Sequence, residues 1–449
     1  MAKSYSFKNH NLIMSSKPQN IGILAIEVYF PKTYISQDEL EDRDIEILGE
    51  EYREKIKGKY TKGLGQTTLS YCTDHEDVVS ISMNAVSSLM KKYGFTEDQF
   101  GRLEVGTESS IDRSKSIKSF LMDLFPNNHS MIGVDNTNAC YGGTAALLNS
   151  LAWIESSQWD GRLALVVCSD IAVYEDMSAR PTGGCGSVAM VVGPNAPLVI
   201  ETQYLSSYFM HGYDFYKPNP MNPHPIVNGP LSLTLYYECL DNCYFGYQKR
   251  NPNHRISIDD FDYICFHTPF MNHIKKCCGR LAYIKDKNEN DAQELNETRN
   301  NPRFMSELSA KYRSIFNEKV LPSCLLSMYC GNGYTSSLYL AIASLINSND
   351  LKDKHILCFS YGSGCASSMY SIKVQGDLTK IKENLNLQER LNQRVKKQVV
   401  EYEQSIQHEN ERFKTCPYNP KDSLDDLWDN IYYLESIDDK WIRHYKKSD

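Results

Sequence analysis

The chain has no apolar run long enough to span a bilayer, no secretory apolar segment ahead of its first strand, and no excess of positive charge. Each absence excludes a class of function. Its 48 Lys and Arg stand against 56 Asp and Glu, a formal net charge of -8 with the cations dispersed, so no basic face is offered to nucleic acid or to an anionic membrane. Any anionic ligand has to be held by local groups. Residues 1–19 contain neither acid nor arginine and little amphipathic pattern, so they read as a tail and cytoplasm is expected over mitochondrion. The 14 cysteines are scattered, and neither Cys239-x-x-x-Cys243 nor Cys277-Cys278 has a partner set at zinc spacing. A reduced compartment and no metal are expected. The 449 residues suffice for a large core and two or three structural units.

What is present centres on Asn136-Thr137-Asn138-Ala139-Cys140-Tyr141-Gly142-Gly143-Thr144, followed at once by the apolar run Ala145–Ile154. The spacing of Ala145, Leu148, Leu151 and Ala152 predicts a helix, with Thr137 and Asn138 as candidate caps and Cys140 where loop turns into helix. Backbone N–H groups at a helix start favour a thiolate, which predicts a Cys140 pKa below the free value of about 8.5. Gly142 and Gly143 are expected to keep side chains away from the sulfur so that a substrate carbonyl can approach. The plainer reading of Cys140, a small buried hydrophobe, stands beside this one.

Along the chain, Ile21–Tyr29 reads as a buried strand, Gln37–Lys57 as a charged helical segment, and Gly58–Gly65 as a glycine-bearing loop. Asp74–Tyr93 has helical spacing, Phe100–Gly106 is a short strand ending on Thr107-Glu108-Ser109, and Leu163–Cys168 and Ser187–Val192 are strands buried on both faces. The same grammar then returns. Phe261–Phe266 is a strand ending on His267; Cys330-Gly331-Asn332-Gly333-Tyr334-Thr335 opens the apolar helix Ser336–Ile346; His355–Ser360, a glycine turn and Ala366–Val374 repeat the earlier strand pair. Thr144 and Thr335 hold the same place before the two helices. The repeat predicts a duplicated, layered α/β body, with halves at 20–193 and 194–449. Tyr204–Pro230 is read as an irregular linker, Asp286–Arg303 as a polar surface loop or insert, and Asp377–His408 as a charged helix. Trp428, Tyr432, Tyr433 and Trp441 are expected to dock the C-terminal stretch on the body.

In such a body, polar residues just past strand ends and at helix starts converge outside the carboxyl ends of the strands. Glu108, Cys140 and His267, with Asn332, are then a carboxylate, a thiol and an imidazole in one place. Those are the parts needed to take an acyl group from a thioester and to form a carbanion beside its carbonyl. Taken singly, each also reads blandly, as a solvated cap, a core histidine or a turn residue.

At this point the sequence resembles the 3-hydroxy-3-methylglutaryl-CoA synthases (HMG-CoA synthases) of the eukaryotic type. The resemblance covers nearly the whole chain and is carried by KYTKGLGQ from Lys59, GRLEVGTES from Gly101, NACYGGTAA from Asn138, SDIAVY from Ser169, ARPTGG from Ala179, YDFYKP from Tyr213, His267-Thr268-Pro269, GNGYTSS from Gly331 and SYGSG from Ser360. It implies a thiolase-like, duplicated five-layered αβαβα body with C-terminal helical additions, a homodimer, no cofactor, and acetyl-CoA and acetoacetyl-CoA as the molecules bound. By motif it makes Cys140 the acetylated residue, Glu108 the general acid/base and His267 the group that binds acetoacetyl-CoA. It implies polar substrate contacts at Thr182, Ser232, Asn332 and Ser363, places Tyr141 with the substrate-binding set, and makes Asp170 and Asp214 supports of the catalytic groups. Ser178 and Asn272 depart from the pattern, which has asparagine and lysine there, and this leaves Lys276 as the matching lysine. The segment before Lys59 is longer and more charged than the pattern, so no contact is carried over to it. Rival readings are thiolase, which needs a second cysteine and directs attention to Cys365; β-ketoacyl-ACP synthase III, which lacks the glutamate; and a non-catalytic scaffold.

Overall fold

The apolar, β-branched runs form one ten-stranded sheet in the computed structural model, which describes residues 18–251 and 256–448. Residues 1–17 of the expected tail lie outside the described residues. The first half of the sheet uses β1 (Gly22–Tyr29), β2 (Phe100–Gly106), β3 (Asp135–Asn136), β4 (Leu163–Ala172) and β5 (Gly184–Gly193). The second uses β6 (Leu198–Ile200), β7 (Ser206–Phe209), β8 (Tyr263–Phe266), β9 (His355–Gly362) and β10 (Ala366–Val374). The order β1-β5-β4-β2 in one half is matched by β6-β10-β9-β8 in the other. In both, the first two steps are antiparallel and the last is parallel. The duplication read from the sequence is therefore a duplication of topology. β1 and β6 pair across the seam, β3 extends the outer edge beside β2, and β7 takes the part of β10 that β6 leaves free.

Side-chain alternation sorts the layers. In β4, Ala164, Val166 and Cys168 face one apolar cluster while Leu165 and Val167 face another; in β9, Ile356 and Cys358 oppose Leu357, Phe359 and Tyr361 in the same way. The cluster shared by both halves contains helices α2 (Gly142–Glu155) and α5 (Ser337–Ser348). The outer clusters contain α1 (Val78–Tyr93) on one side and α3 (Gly229–Lys249) with α4 (Met271–Ile284) on the other. The result is five layers, αβαβα. Leu338–Ile346 of α5 is buried on every side, as a central-layer helix must be.

Some expectations are corrected. Asp286–Arg303 is no loop: it carries helix Ala292–Arg299 and leads into helix Pro302–Lys311, which is capped by Asn301. Its polarity hides a single inward row, Leu295, Met305 and Leu308, and the buried Arg280 ties it down through Leu295 O and Thr298 Oγ1, both at 2.9 Å. Asp377–His408 is broken into helices Thr379–Leu385, Leu387–Asn392 and one beginning at Val399, because Asn386 takes a left-handed conformation (φ 38°) and Val395–Lys396 pairs with Thr33–Tyr34. The linker is less irregular than its Pro content implies, since it supplies β7 and the small hairpin Phe215–Tyr216/Ile226–Val227. Of the four aromatic anchors, Trp428 donates to Phe30 O at 2.9 Å and Tyr433 meets His75 edge to face, with Tyr432 packed on the α1 cluster. Trp441 is 51% exposed and anchors nothing.

Candidate active site

Because one four-strand unit is used twice, equivalent loops meet above the central helices. Glu108 lies two residues past β2, His267 one past β8, Cys140 two before α2, and Asn332 just before the turn Tyr334–Ser336 that enters α5. The two helix starts are joined by the Gly143 N–H donating to Thr335 Oγ1. One buried carboxylate holds both halves in register. Asp170 Oδ1 accepts from the backbone N–H of Glu108 (2.8 Å) and Ser109 (3.0 Å) and from the hydroxyls of Thr107 and Ser109, while Oδ2 accepts from the Thr335 N–H at 3.1 Å. Asp214 accepts from Tyr361 OH (3.0 Å) and the Gly364 N–H (2.9 Å). Both aspartates are fully buried behind the site wall, outside the cavity lining, where they hold other groups in position.

A cavity of about 940 Å³ opens over these loops, and Cys140, Thr182, Ser232, His267, Lys276, Asn332 and Ser363 all line it. Tyr141 does not. Its hydroxyl meets Ser368 Oγ at 2.6 Å and its ring packs edge-on against Phe209, so it is a core residue, turned from the cavity by the same turn that presents its neighbour. Glu108 stands behind Cys140 with its side chain 6% exposed, its carboxylate meeting the Cys140 backbone N–H and lying 4.0 Å from Lys217 Nζ.

The sequence did not point to several groups of the site. His273, in the first turn of α4, and Arg299, from the supposed surface insert, line the same cavity. Lys217, inside the quoted YDFYKP stretch, pairs with Glu108. Arg313 faces an adjoining groove of about 620 Å³ with Lys275 and Lys276. An imidazole six residues after His267 and a lysine beside an aromatic cluster were the available signals. Asn272 replaces the expected lysine with a structural role, donating to Lys62 O (2.7 Å) and Gly63 O (2.8 Å), so α4 holds the turn Lys59–Leu64. Glu41 closes that turn from the other side, accepting from the Gly58, Tyr60 and Thr61 N–H groups.

The nucleophile's surroundings depart from the simple helix-start picture. Cys140 has φ 54°, in the left-handed region that non-glycine residues rarely adopt. The residue flanking α2 is Tyr141, and neither Thr137 nor Asn138 caps the helix; the Asn138 amide turns back to Ala139 O at 2.9 Å. Gly143 is required by packing and not by substrate approach: a Cβ there would lie 2.5 Å from Cys168 Sγ and 2.9 Å from Thr335 Oγ1. The Cys140 thiol pKa is pushed well up, by burial first and then by the Glu108 and Asp170 carboxylates, so the sequence expectation of a depressed value is overturned. Burial, with two carboxylates adding to it, outweighs the helix-start amides.

Burial governs the partners as well. Glu108 is raised to about 8, by burial and by Asp170, with Lys217 opposing. His267 is lowered to about 3 by burial, so the ring is neutral near pH 7. Its backbone is clamped, N–H to Phe359 O at 2.8 Å and C=O from Tyr236 OH at 2.7 Å. His267 Nδ1 and Glu108 Oε1 are both buried without a hydrogen-bond partner among the described residues, the mark of groups kept for a ligand. Cys365, the position a thiolase reading needs, lies outside the cavity wall with its sulfur 3.8 Å from Tyr361 OH.

The comparisons fit this arrangement. A family model described as hydroxymethylglutaryl-coenzyme A synthase N terminal matches residues 17–197, and one described as hydroxymethylglutaryl-coenzyme A synthase C terminal matches residues 198–448. The chain belongs to the HMG-CoA synthase family. Hydroxymethylglutaryl-CoA synthase A of Dictyostelium discoideum is 42% identical over 96% of this chain and 92% of its own. The hydroxymethylglutaryl-CoA synthase of Saccharomyces cerevisiae is 40% identical over 96% of this chain and 90% of its own. Among solved structures, MvaS in complex with 3-hydroxy-3-methylglutaryl coenzyme A matches with a TM-score of 0.81 at 28% identity, covering 97% of this chain and 100% of that one. The five-layered body is thus the thiolase-like fold of this family.

Proposed function

We propose that this chain condenses acetyl-CoA with acetoacetyl-CoA and water to give 3-hydroxy-3-methylglutaryl-CoA and CoA. The observation that carries the reading is the meeting of a thiol and a neutral imidazole at one cavity, with a carboxylate tuned to about 8 directly behind the thiol. Cys140 attacks the acetyl carbonyl, the bond to the CoA sulfur breaks, and the thiol proton leaves with CoA. The Glu108 carboxylate then takes a proton from the acetyl methyl, and the carbanion adds to the ketone carbon of acetoacetyl-CoA. Neutral His267 donates a hydrogen bond to that ketone oxygen, and protonated Glu108 returns its proton to the alkoxide. A group with pKa about 8 performs both transfers near neutrality, since either protonation state is accessible. Water finally cleaves the Cys140 thioester.

Lys276 lines the cavity and, among the described residues, makes no ion pair; with Lys275 and Arg313 in the adjoining groove it supplies the local cations that CoA phosphates require of a chain with net charge -8. No helix of the described residues is long and apolar enough to cross a membrane. A homodimer in the cytoplasm, supplying isoprenoid and sterol precursors, belongs to the same reading. The dimer draws support from the open edge at β3, where Ile132 and Val134 are 46% and 62% exposed beside it. Mixing the protein with both thioesters and following loss of the acetoacetyl enolate absorbance tests the activity; an unchanged absorbance at high enzyme concentration rejects it.

A further inference from the structure

We propose that a second, smaller cavity behind Glu108 delivers the water that releases the product from Cys140, by a route separate from that of the substrates. The inference rests on the condensing activity proposed above. This rear cavity, of about 180 Å³, shares no lining residue with the substrate cavity. It runs inward from Ser110, Asn219 and Pro220, which are exposed, to Val78, Ile171 and Arg412, which are buried. Its volume admits several waters, and Ser109, Lys217 and Asn222 in its wall give them the polar partners that ordered water needs.

Glu108 is the partition between the two spaces. It lines the rear cavity, yet its carboxylate meets the backbone N–H of Cys140, which lines the front one. Lys217, also in the rear wall, donates to Glu108 O at 3.4 Å and lies 4.0 Å from Oε1, with its ammonium 5.1 Å from the Tyr334 ring centroid. Oε1 is buried and has no hydrogen-bond partner among the described residues. Water arriving along Lys217 would reach the Glu108 carboxylate, and through it the acyl–sulfur bond.

The chemistry requires a second entrance. After condensation the new acyl group is bonded to Cys140 at one end and to CoA at the other, so the pantetheine arm fills the substrate cavity and closes the front approach to the thioester. Hydrolysis then forms a bond from the water oxygen to the thioester carbon and breaks the bond from that carbon to Cys140 Sγ. One water proton passes through the Glu108 carboxylate to the departing sulfur, and the carboxylic acid formed loses its proton to solvent.

Ser110→Trp and Asn219→Trp plug the mouth from opposite lips without touching the catalytic groups. In acid-quenched single-turnover experiments read by intact mass, both are expected to acetylate Cys140 and consume acetoacetyl-CoA at the unaltered rate. The condensed CoA-bearing adduct should then accumulate, its release slowed about tenfold or more, while Ser110→Ala behaves as the parent. Release at the parent rate from both Trp variants, with no accumulated adduct, overturns the water route; so does an equal loss of acetylation and release, which would make the lips structural supports. If the parent protein itself shows no acetyl adduct, the condensing activity fails and the water route falls with it.

Discussion

The two halves of the sheet share one topology and differ in what they place at the same turn. Aligning Thr144 with Thr335 sets Cys140 opposite Gly331, and both residues are left-handed, at φ 54° and φ 83°. In the second half that conformation is met at Gly331 by the one residue that adopts it without penalty, although Tyr334, three residues on, is left-handed as well (φ 44°). In the first half a cysteine occupies it, at a cost of about 1–3 kcal/mol. The duplicated turn has thus diverged into a copy that orients Asn332 and a copy that presents a nucleophile. The strand ends have diverged likewise, one giving a carboxylate held near its titration point and the other an imidazole held neutral.

Restoring glycine to the first copy makes the sharpest test of this comparison. Cys140→Gly is expected to abolish the acetyl adduct completely while raising Tm by a few degrees, as strain is released in a molecule of this size. An adduct that survives in intact-mass analysis removes Cys140 from the nucleophile's role, and a lowered Tm shows that the turn is not strained.

Next in size is Glu108→Gln, expected to slow condensation by about 10²–10⁴-fold while acetylation of Cys140 stays measurable. As a base Glu108 must be ionised, so the parent's condensation rate should climb with pH through about 8. Stability has the opposite slope. The native state retains a proton that the unfolded chain releases from about pH 4.5 upward, so this group's contribution falls as pH rises toward about 8. Glu108→Gln should flatten that slope in pH-dependent melting, and an unchanged slope would place the titration elsewhere.

His267→Ala should weaken productive use of acetoacetyl-CoA more than it slows acetylation, and separate rates for the two half-reactions check this. Failure to acetylate with intact acetoacetyl-CoA affinity would make His267 the base for Cys140 instead. Burial lowers both His267 and His273 to about 3, whereas the unfolded chain protonates them near 6.5. Stability should therefore drop as pH falls through about 6.5 toward about 3. Smallest is Lys276→Ala, expected to raise KM for acetoacetyl-CoA a few-fold and to flatten its salt dependence, since one exposed ion pair contributes about 0–1 kcal/mol. An unchanged KM across a salt series would remove Lys276 from the site.

How much of this was legible in the chain follows from what each residue's position depends on. Strands buried on both faces were readable because β4 and β9 carry the apolar runs Leu163–Cys168 and Ile356–Phe359, and the repeat was readable because the order of strand, polar turn and apolar helix recurs, although Thr144 falls inside α2 and Thr335 just before α5. The cavity wall was recovered from motifs, and it lies where topology puts strand ends and helix starts. What failed depended on contacts distant in sequence. The Cys140 thiol looked activated until the fold buried it and set Glu108 and Asp170 beside it. Asp286–Arg303 looked like a loop because its few inward residues are matched by Arg280 on another helix. Tyr141 was misread because which neighbour of a turn faces inward is set by the turn's handedness, which no spacing reveals.

The place of the first strand in the middle of the sheet also bears on how the chain is made. Ile26 pairs with Met190, about 160 residues later, so β1 leaves the ribosome long before its partner exists. At synthesis rates of about 5–20 residues per second that wait is roughly 8–30 s. During it the segment Gly22–Tyr29, apolar on both faces and carrying a single acid, has an open edge that any neighbouring nascent chain can extend. Of the strands in the first half β1 thus waits longest for its partner, with Glu27 alone interrupting its apolar run until β5 arrives.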